Sequence, residues 1–578
     1  MPRKVPAAAQ ICSLALVAGA LCAAPSPSLA APASDYFACD GYGAPSGEGD
    51  GMTRYATVLG IFNPPGKGTT DRLKPGVGAT AVAACTRAID DLPAPHWMRR
   101  VSLLRARAAH RLEAGETTDA ALADLDSAAA SGRDDADYRR SLGLGVDLLR
   151  AYALRRAGKS PDADALALEA LKQRPFSRGI ATATLFALGP NAPDADIDTA
   201  ARALARIRPE ALELLYGRAL EGGRYGEALA LYPQLKPTER PLDGFYNEMG
   251  LLEFELNNRL EAQQFWAWHA GEAAFALAAL GKTSDAHAML DSARARLAHA
   301  VEAPPIPPAE TPKQTQRRML TLNYNARILA QATPILDQWS ALTDLRLRIV
   351  DGQGAAVARQ LATSRPPANW ATLDLLQALA LEQLPESTAI AGAAQALKAR
   401  LASAEHDIPE AGVTQLLNSL PEPEVAGRTP PYREAKRPLL AMKGSQADDD
   451  AQGYRVGQPT AEGVLTIRFR GDRSTEGVVE EMALLHAAVV ARNAGKKGFI
   501  VVGARDTKHS VVTTYYGSPL RSDPNGFDSE YDVVLVDPAA LPPAYRESAW
   551  RVLDADAVFN ALGPIYINNV VDPPRAGS

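Results

Sequence analysis

Cysteine is scarce in this chain, with four residues in 578. None is spaced Cys-x-x-Cys, which excludes the common redox and zinc-ribbon motifs. The eight histidines include no pair at i, i+4 and no His-Glu-x-x-His, so the usual zinc spacings are missing as well. Positive charge is not in excess: 61 Lys and Arg stand against 67 Asp and Glu, a formal net charge of −6. That balance gives no electrostatic basis for binding nucleic acid or an anionic membrane. Beyond the N-terminus no apolar run is long enough to span a bilayer. Gly-x-Ser-x-Gly is absent, so Ser518 has no nucleophile elbow around it.

One segment imitates a phosphate loop and fails. Gly60 to Thr69 contains Gly66-Lys67, but its first glycine is one residue too far away and Gly68 stands where Ser or Thr is needed. It reads as a surface loop. No metal, no cofactor and no catalytic residue is expected, and the chain reads as a binding protein rather than an enzyme.

What is present begins with an export signal. Arg3 and Lys4 precede an apolar run from Ile11 to Ala24, and Ser28-Leu29-Ala30 forms a small-residue cleavage site. Residues 1–30 are expected to be removed after Ala30, leaving a periplasmic or secreted protein. Cys12 follows Ile11 and Cys22 follows Leu21, which does not suit lipid attachment. Cleavage removes two cations and no acid, so the formal charge moves from −6 to −8. It also leaves Cys39 and Cys85 as the remaining thiols in an oxidising compartment, where they are expected to pair as a disulfide.

Residues 31–94 are rich in Gly, Pro and Asp and read as a loop-rich cap, with Ala79 to Ile89 as its first helical stretch. From 95 to 300 Ala, Leu and Arg recur at helical spacing, broken by short turns. Hairpin turns are expected at Gly115, Gly158, Gly223 and Gly281. The stretch from Asp147 to Pro175 places Ala151, Leu154, Gly158, Ala163, Ala167 and Ala170 before the proline. In this it resembles the tetratricopeptide repeat, whose small residues let two antiparallel helices approach closely. Arg174-Pro175 and Arg208-Pro209 lie one 34-residue period apart, the period of that family. The resemblance implies a solenoid of helical hairpins that binds protein or peptide partners. Phe265, Trp266, Trp268 and His269 are the candidate partner-binding residues, placed as an aromatic anchor in a concave groove.

Residues 301–312 are too rich in proline for a helix and form a linker, after which a second helical block runs from 313 to 420. A further linker covers 421–452. From 453 to 569 the period shifts to alternation in Val464 to Arg470, with a helix over Thr475 to Asn493 and strands at Lys497 to Val502, Ser510 to Tyr516 and Tyr531 to Val536. Ser474 or Thr475 is placed to cap the helix, and Glu476, Glu480 and Glu481 to meet its positive end. A small α+β domain follows from this.

Gly453-Tyr454, Phe469-Arg470-Gly471, Thr475, Val479-Glu480, Leu484-Leu485, Ala487-Ala488, Gly495 and Phe499-Ile500-Val501 form a pattern in this domain. It is similar to a family of small bacterial envelope lipoproteins of unknown function, departing from it at His486 and Val489 and in lacking a lipidated cysteine. The resemblance implies a shared fold and an envelope location, and no activity.

His486 reads as a structural histidine within an apolar helix, and His509 as a residue of a turn. Arg468, Arg470, Arg473, Tyr515 and Tyr516 read as a solvated sheet face. The rival to a scaffold is a small-ligand or enzymatic site in the C-terminal domain, which would require His486, Arg505, Asp506 or Tyr515 to converge on one pocket.

Overall fold

A computed structural model of the chain describes residues 34–45, 78–93, 96–237, 248–406, 420, 429–435 and 451–567, apart from single positions at 133, 190, 305, 307, 308, 365, 383, 472, 473, 516 and 517. The expected signal segment, the phosphate-loop imitation and most of the 421–452 linker lie outside these residues. The protein is mainly helical, with a small antiparallel sheet near its C-terminus.

The helices are α1 (Asp35–Asp40), α2 (Gly78–Asp90), α3 (Trp97–Glu113), α4 (Thr118–Gly132), α5 (Ala136–Arg140), α6 (Leu142–Arg156), α7 (Ser160–Gln173), α8 (Arg178–Leu188), α9 (Asp194–Ile207), α10 (Leu212–Glu221), α11 (Tyr225–Leu231), α12 (Glu248–Ala279), α13 (Thr283–Ala300), α14 (Pro312–Val350), α15 (Gly354–Thr363), α16 (Trp370–Leu381) and α17 (Ser387–His406). No helix among the described residues is long and apolar enough to cross a membrane.

All four glycines read as hairpin turns take that role, at Gly115, Gly158, Gly223 and Gly281, and Gly352 between α14 and α15 is a fifth. Each has φ between 67° and 76°, a conformation that a residue without Cβ adopts at little cost. The same two bonds close each turn. The glycine donates to the carbonyl three residues back, and its successor to the carbonyl five back, as in Gly158 to Arg155 and Lys159 to Leu154. The alanines expected to let the helices approach, such as Ala108, Ala121, Ala151, Ala163, Ala167, Ala219, Ala228, Ala274 and Ala286, are all fully buried.

Cys39 on α1 and Cys85 on α2 stand at disulfide distance, with their Cα atoms 4.6 Å apart. The pair joins α1 to α2 within the cap, beside a buried Arg99–Asp40 ion pair that ties α1 to α3 and to which Ser102 adds a 2.8 Å hydrogen bond.

The proline-rich segment interrupts the helices as expected: α13 ends at Ala300, and Thr311 caps α14 in a reciprocal pair of bonds with Gln314. It separates the helices in sequence more than in space, because α14 folds back along α12. At their crossing Gly271 makes room for the fully buried Trp339. A Cβ at position 271 would lie 2.2 Å from the indole Cγ, so no other residue fits there without moving the helices apart.

The C-terminal domain holds β1 (Gly453–Val456), β2 (Val464–Gly471), β3 (Gly498–Tyr515), β4 (Ser518–Val536) and β5 (Leu553–Asp554), in the order β1-β2-β4-β3-β5 with every pairing antiparallel. Helices α18 (Glu476–Asn493) and α19 (Ala555–Tyr566) pack with the sheet. Two expectations need correction. The turn expected at His509 is a register irregularity between Lys508 and Ser510 inside one continuous strand, so the two expected strands are both β3. Thr475 is the N-cap residue of α18, but its side chain makes no capping bond.

Residues 429–435, read as linker, include Tyr432, which is buried in the C-terminal core. That core also takes in Ile207 from the end of α9, with Phe176 packed against it. The helical array and the sheet domain thus share apolar contacts.

Candidate functional site

A helix turns about 100° per residue, so Phe265, Trp266, Trp268 and His269 on α12 cannot all face one groove. The structure separates them into three directions. Phe265 and His269, one turn apart, point inward with ring centroids 4.2 Å apart. His269 is 5% exposed, and its Nδ1 lies 2.8 Å from Glu272 Oε2, with Glu213 3.5 Å from Nε2. Burial opposes the charged ring, but the hydrogen bonds to Glu213 and Glu272 outweigh it and raise His269 to about 9. Tyr216 donates to the His269 carbonyl, and Trp370 donates to Glu272. His269 is therefore a charged tie between α10, α12 and α16, and it is too enclosed to anchor a partner.

Trp268 packs edge-on against Trp339, with 38% of its surface exposed. Trp266 faces a different neighbour, α13. Together with Tyr232, Gln263, Met289, Ser292, Arg296 and the small side chains between them, it lines a cavity of about 240 Å³. Ala267, Ala270 and Leu297 form its buried floor, and Ser292 and Arg296 stand exposed at the rim. The Arg296 guanidinium lies 4.8 Å over the Trp266 ring, a cation–π contact. Of the four candidates, Trp266 alone lines this pocket. No local pattern singles out Arg296, which lies thirty residues away on another helix.

A second polar cluster sits where the helical array meets α18. Arg174 grips Glu481 in a fork, Nε to Oε1 at 2.8 Å and Nη2 to Oε2 at 3.0 Å. Tyr566 donates to the same Oε2 at 2.7 Å, and burial holds its phenol far above the usual range, so it stays a donor. Arg208 lies 2.8 Å from Glu480 and also pairs with Asp506. Arg178 stands 2.7 Å from Glu480 and 2.8 Å from Glu476. Burial pushes Glu480 up to about 8 while Arg208 and Arg178 pull it down.

The two arginines of the 34-residue Arg-Pro period thus pair with two consecutive glutamates of α18. Arg140, a further 34 residues back, offers its carbonyl to Arg174 at 3.0 Å. Glu476, Glu480 and Asp506 bring one oxygen each within 4.8 Å of one another, close enough to share a cation. Arg178 and Arg208 already stand among them and supply that charge, so the trio reads as part of a salt-bridge lattice.

Around this lattice further side-chain hydrogen bonds complete the docking. Arg206 donates to the Trp550 carbonyl at 2.7 Å and Lys236 to the Val502 carbonyl at 2.9 Å, while Gln234 meets Ser548.

The residues considered for a C-terminal ligand site take separate partners. His486 lies in the domain core, bonded to Tyr432 at 3.0 Å and stacked on Tyr454, and burial lowers it to about 4. Arg505 pairs with Glu530, and Asp506, next along the strand, turns to Arg208. Arg468 pairs with Asp528. The side chains of His509 and Tyr515, and residues Arg473 and Tyr516 entirely, lie outside the described residues.

No protein-family model, curated protein or solved structure matches the chain.

Proposed function

We propose that the mature chain is an exported scaffold of the cell envelope, periplasmic or secreted, that binds protein or peptide partners through helical hairpins stacked as tetratricopeptide-like repeats. The observation that carries this reading is the recurrence of one glycine-closed turn at five helix pairs. Repetition of a single supersecondary unit builds a wide preformed surface at low entropic cost on binding. On that surface the Trp266 pocket is open at its rim. The Cys39–Cys85 pair supports export, since disulfides persist in oxidising compartments. The C-terminal domain serves as a brace, held against α7 to α9 by the arginine lattice.

Capture tests this function. The full mature protein, tagged at its C-terminus, is cross-linked in intact envelopes and recovered, with N-terminal sequencing of the recovered chain. Recovery of one or a few specific envelope proteins on a chain beginning at Ala31 is the expected result. Recovery of none, in both dilute and concentrated envelopes, would overturn the scaffold reading.

A further inference from the structure

The joint between the helical array and the C-terminal domain brings together charges that do not balance. Glu476 and Glu480 on α18 and Asp506 on β3 place one oxygen each within 4.8 Å of one another. The array meets them with two guanidiniums, Arg178 on α8 and Arg208 just past α9, which lie 2.7 and 2.8 Å from Glu480. Arg178 also pairs with Glu476, and Arg208 with Asp506. Tyr531 on β4 lies beneath the Arg208 guanidinium, and burial holds its phenol far above the usual range, so it brings no charge. Glu210, at the rim, adds a further acid 3.9 Å from Arg208. Glu481, next on α18, is engaged by Arg174 and Tyr566. Three carboxyl groups thus share two cations, and Glu480 among them is only 3% exposed.

A buried carboxylate without a full countercharge takes up a proton in preference to staying ionised. Glu480 is the most enclosed of the three, since the Glu476 side chain is 40% exposed and that of Asp506 13%. Asp506 Oδ1, also buried, accepts no hydrogen bond from any described residue. A proton on Glu480 cancels the surplus charge and supplies an O–H donor beside that acceptor. Burial is the largest influence on Glu480 and lifts it from 4.5 to about 8 against the pull of both arginines.

Resting on the reading of the C-terminal domain as a brace, we infer that its docking onto the helical array takes up one proton, held by Glu480 beside Asp506, which makes the joint a clasp that tightens in acid. The sign follows from the two ends of the titration. Undocked and hydrated, Glu480 ionises near 4.5; docked, it keeps its proton to about 8. The joint therefore weakens as pH rises across that window and changes little above it.

The test uses the full mature protein with no partner present. Hydrogen–deuterium exchange of α8, the end of α9 and the first turns of α18 is compared at about pH 5.5 and pH 8.5 after correction for intrinsic rates, which converts protection into a local opening equilibrium. Wild-type protection is expected to fall about tenfold or more between the two. Glu480→Gln, which mimics the protonated acid, and Asp506→Asn, which removes the third charge, should both hold a nearly constant protection. His269 and His486 are intact in all three proteins, so their titrations cancel in the comparison. The infrared band of a protonated carboxyl should be present in wild type at pH 7 and missing from both variants. A wild-type joint equally protected at both pH values, a slope that survives in either variant, or no carboxyl band in wild type would each overturn the inference. Because no partner enters the test, its failure leaves the scaffold reading to the capture experiment.

Discussion

Replacing Arg174 by methionine strikes the lattice where its geometry is best defined. Glu481 is about 1% exposed and, among the described residues, would keep Tyr566 as its side-chain donor. A carboxylate left buried without its countercharge costs about 3–5 kcal/mol, whereas removing both charges together is often nearly neutral. Arg174→Met alone should therefore destabilise strongly, Glu481→Leu alone should do likewise by stranding Arg174, and the double variant should recover most of the loss. The assay is equilibrium urea unfolding of the four proteins, followed separately by far-UV circular dichroism and tryptophan fluorescence. A coupling energy on the order of 3 kcal/mol is the expected result. If the single costs simply add, with coupling under about 0.5 kcal/mol, the reasoning that this pair fastens the two parts is wrong.

Two of the buried histidines, His269 and His486, should give opposite pH slopes. His269 is raised to about 9 from an unfolded value near 6.5, so its contribution, on the order of 3 kcal/mol, is complete below pH 6.5 and fades as pH rises through 9. Melting curves of wild type and His269→Gln should converge by about pH 9.5. His486, lowered to about 4, favours the folded state while neutral, and that support is lost as pH falls from about 6.5 to 4; His486→Gln should flatten the acid limb of stability. Gly271→Ala should cost about 1–3 kcal/mol by driving a methyl into Trp339, seen as a lower urea midpoint. With its cysteines 46 positions apart, Cys39→Ser should cost about 4 kcal/mol by the loop-entropy relation, checked by denaturation with and without reductant.

The hairpin turns were legible because each rests on a local rule: a glycine free to take positive φ after an alanine-rich helix. The cysteine pair was legible for a different reason: the expected signal cleavage would remove two of the four cysteines and leave one pairing, and Cys39 and Cys85 stand at disulfide distance. The sheet domain was read in outline, yet the long β3–β4 ribbon was cut in two at Asp506-Thr-Lys-His509, where turn-forming residues sit in a strand that bulges instead of turning.

The docking surface stayed hidden. Glu480 and Glu481 were read as partners of the α18 dipole because nothing local in sequence indicates that a second body covers that face. The signal was the 34-residue Arg-Pro period matched by two adjacent glutamates, some 300 positions away. The aromatic cluster misled for a geometric reason: adjacency in sequence is dispersal around a helix, and the pocket pairs Trp266 with Arg296, a residue no local pattern joins to it.

The most direct test of the scaffold is a hydrogen–deuterium exchange footprint of the mature protein with and without its captured partner. The account predicts slowed exchange concentrated on α12 and α13 around Trp266 and Arg296, with the sheet unchanged. Protection confined to β1–β5, with α12 and α13 exchanging as in the free protein, would contradict it.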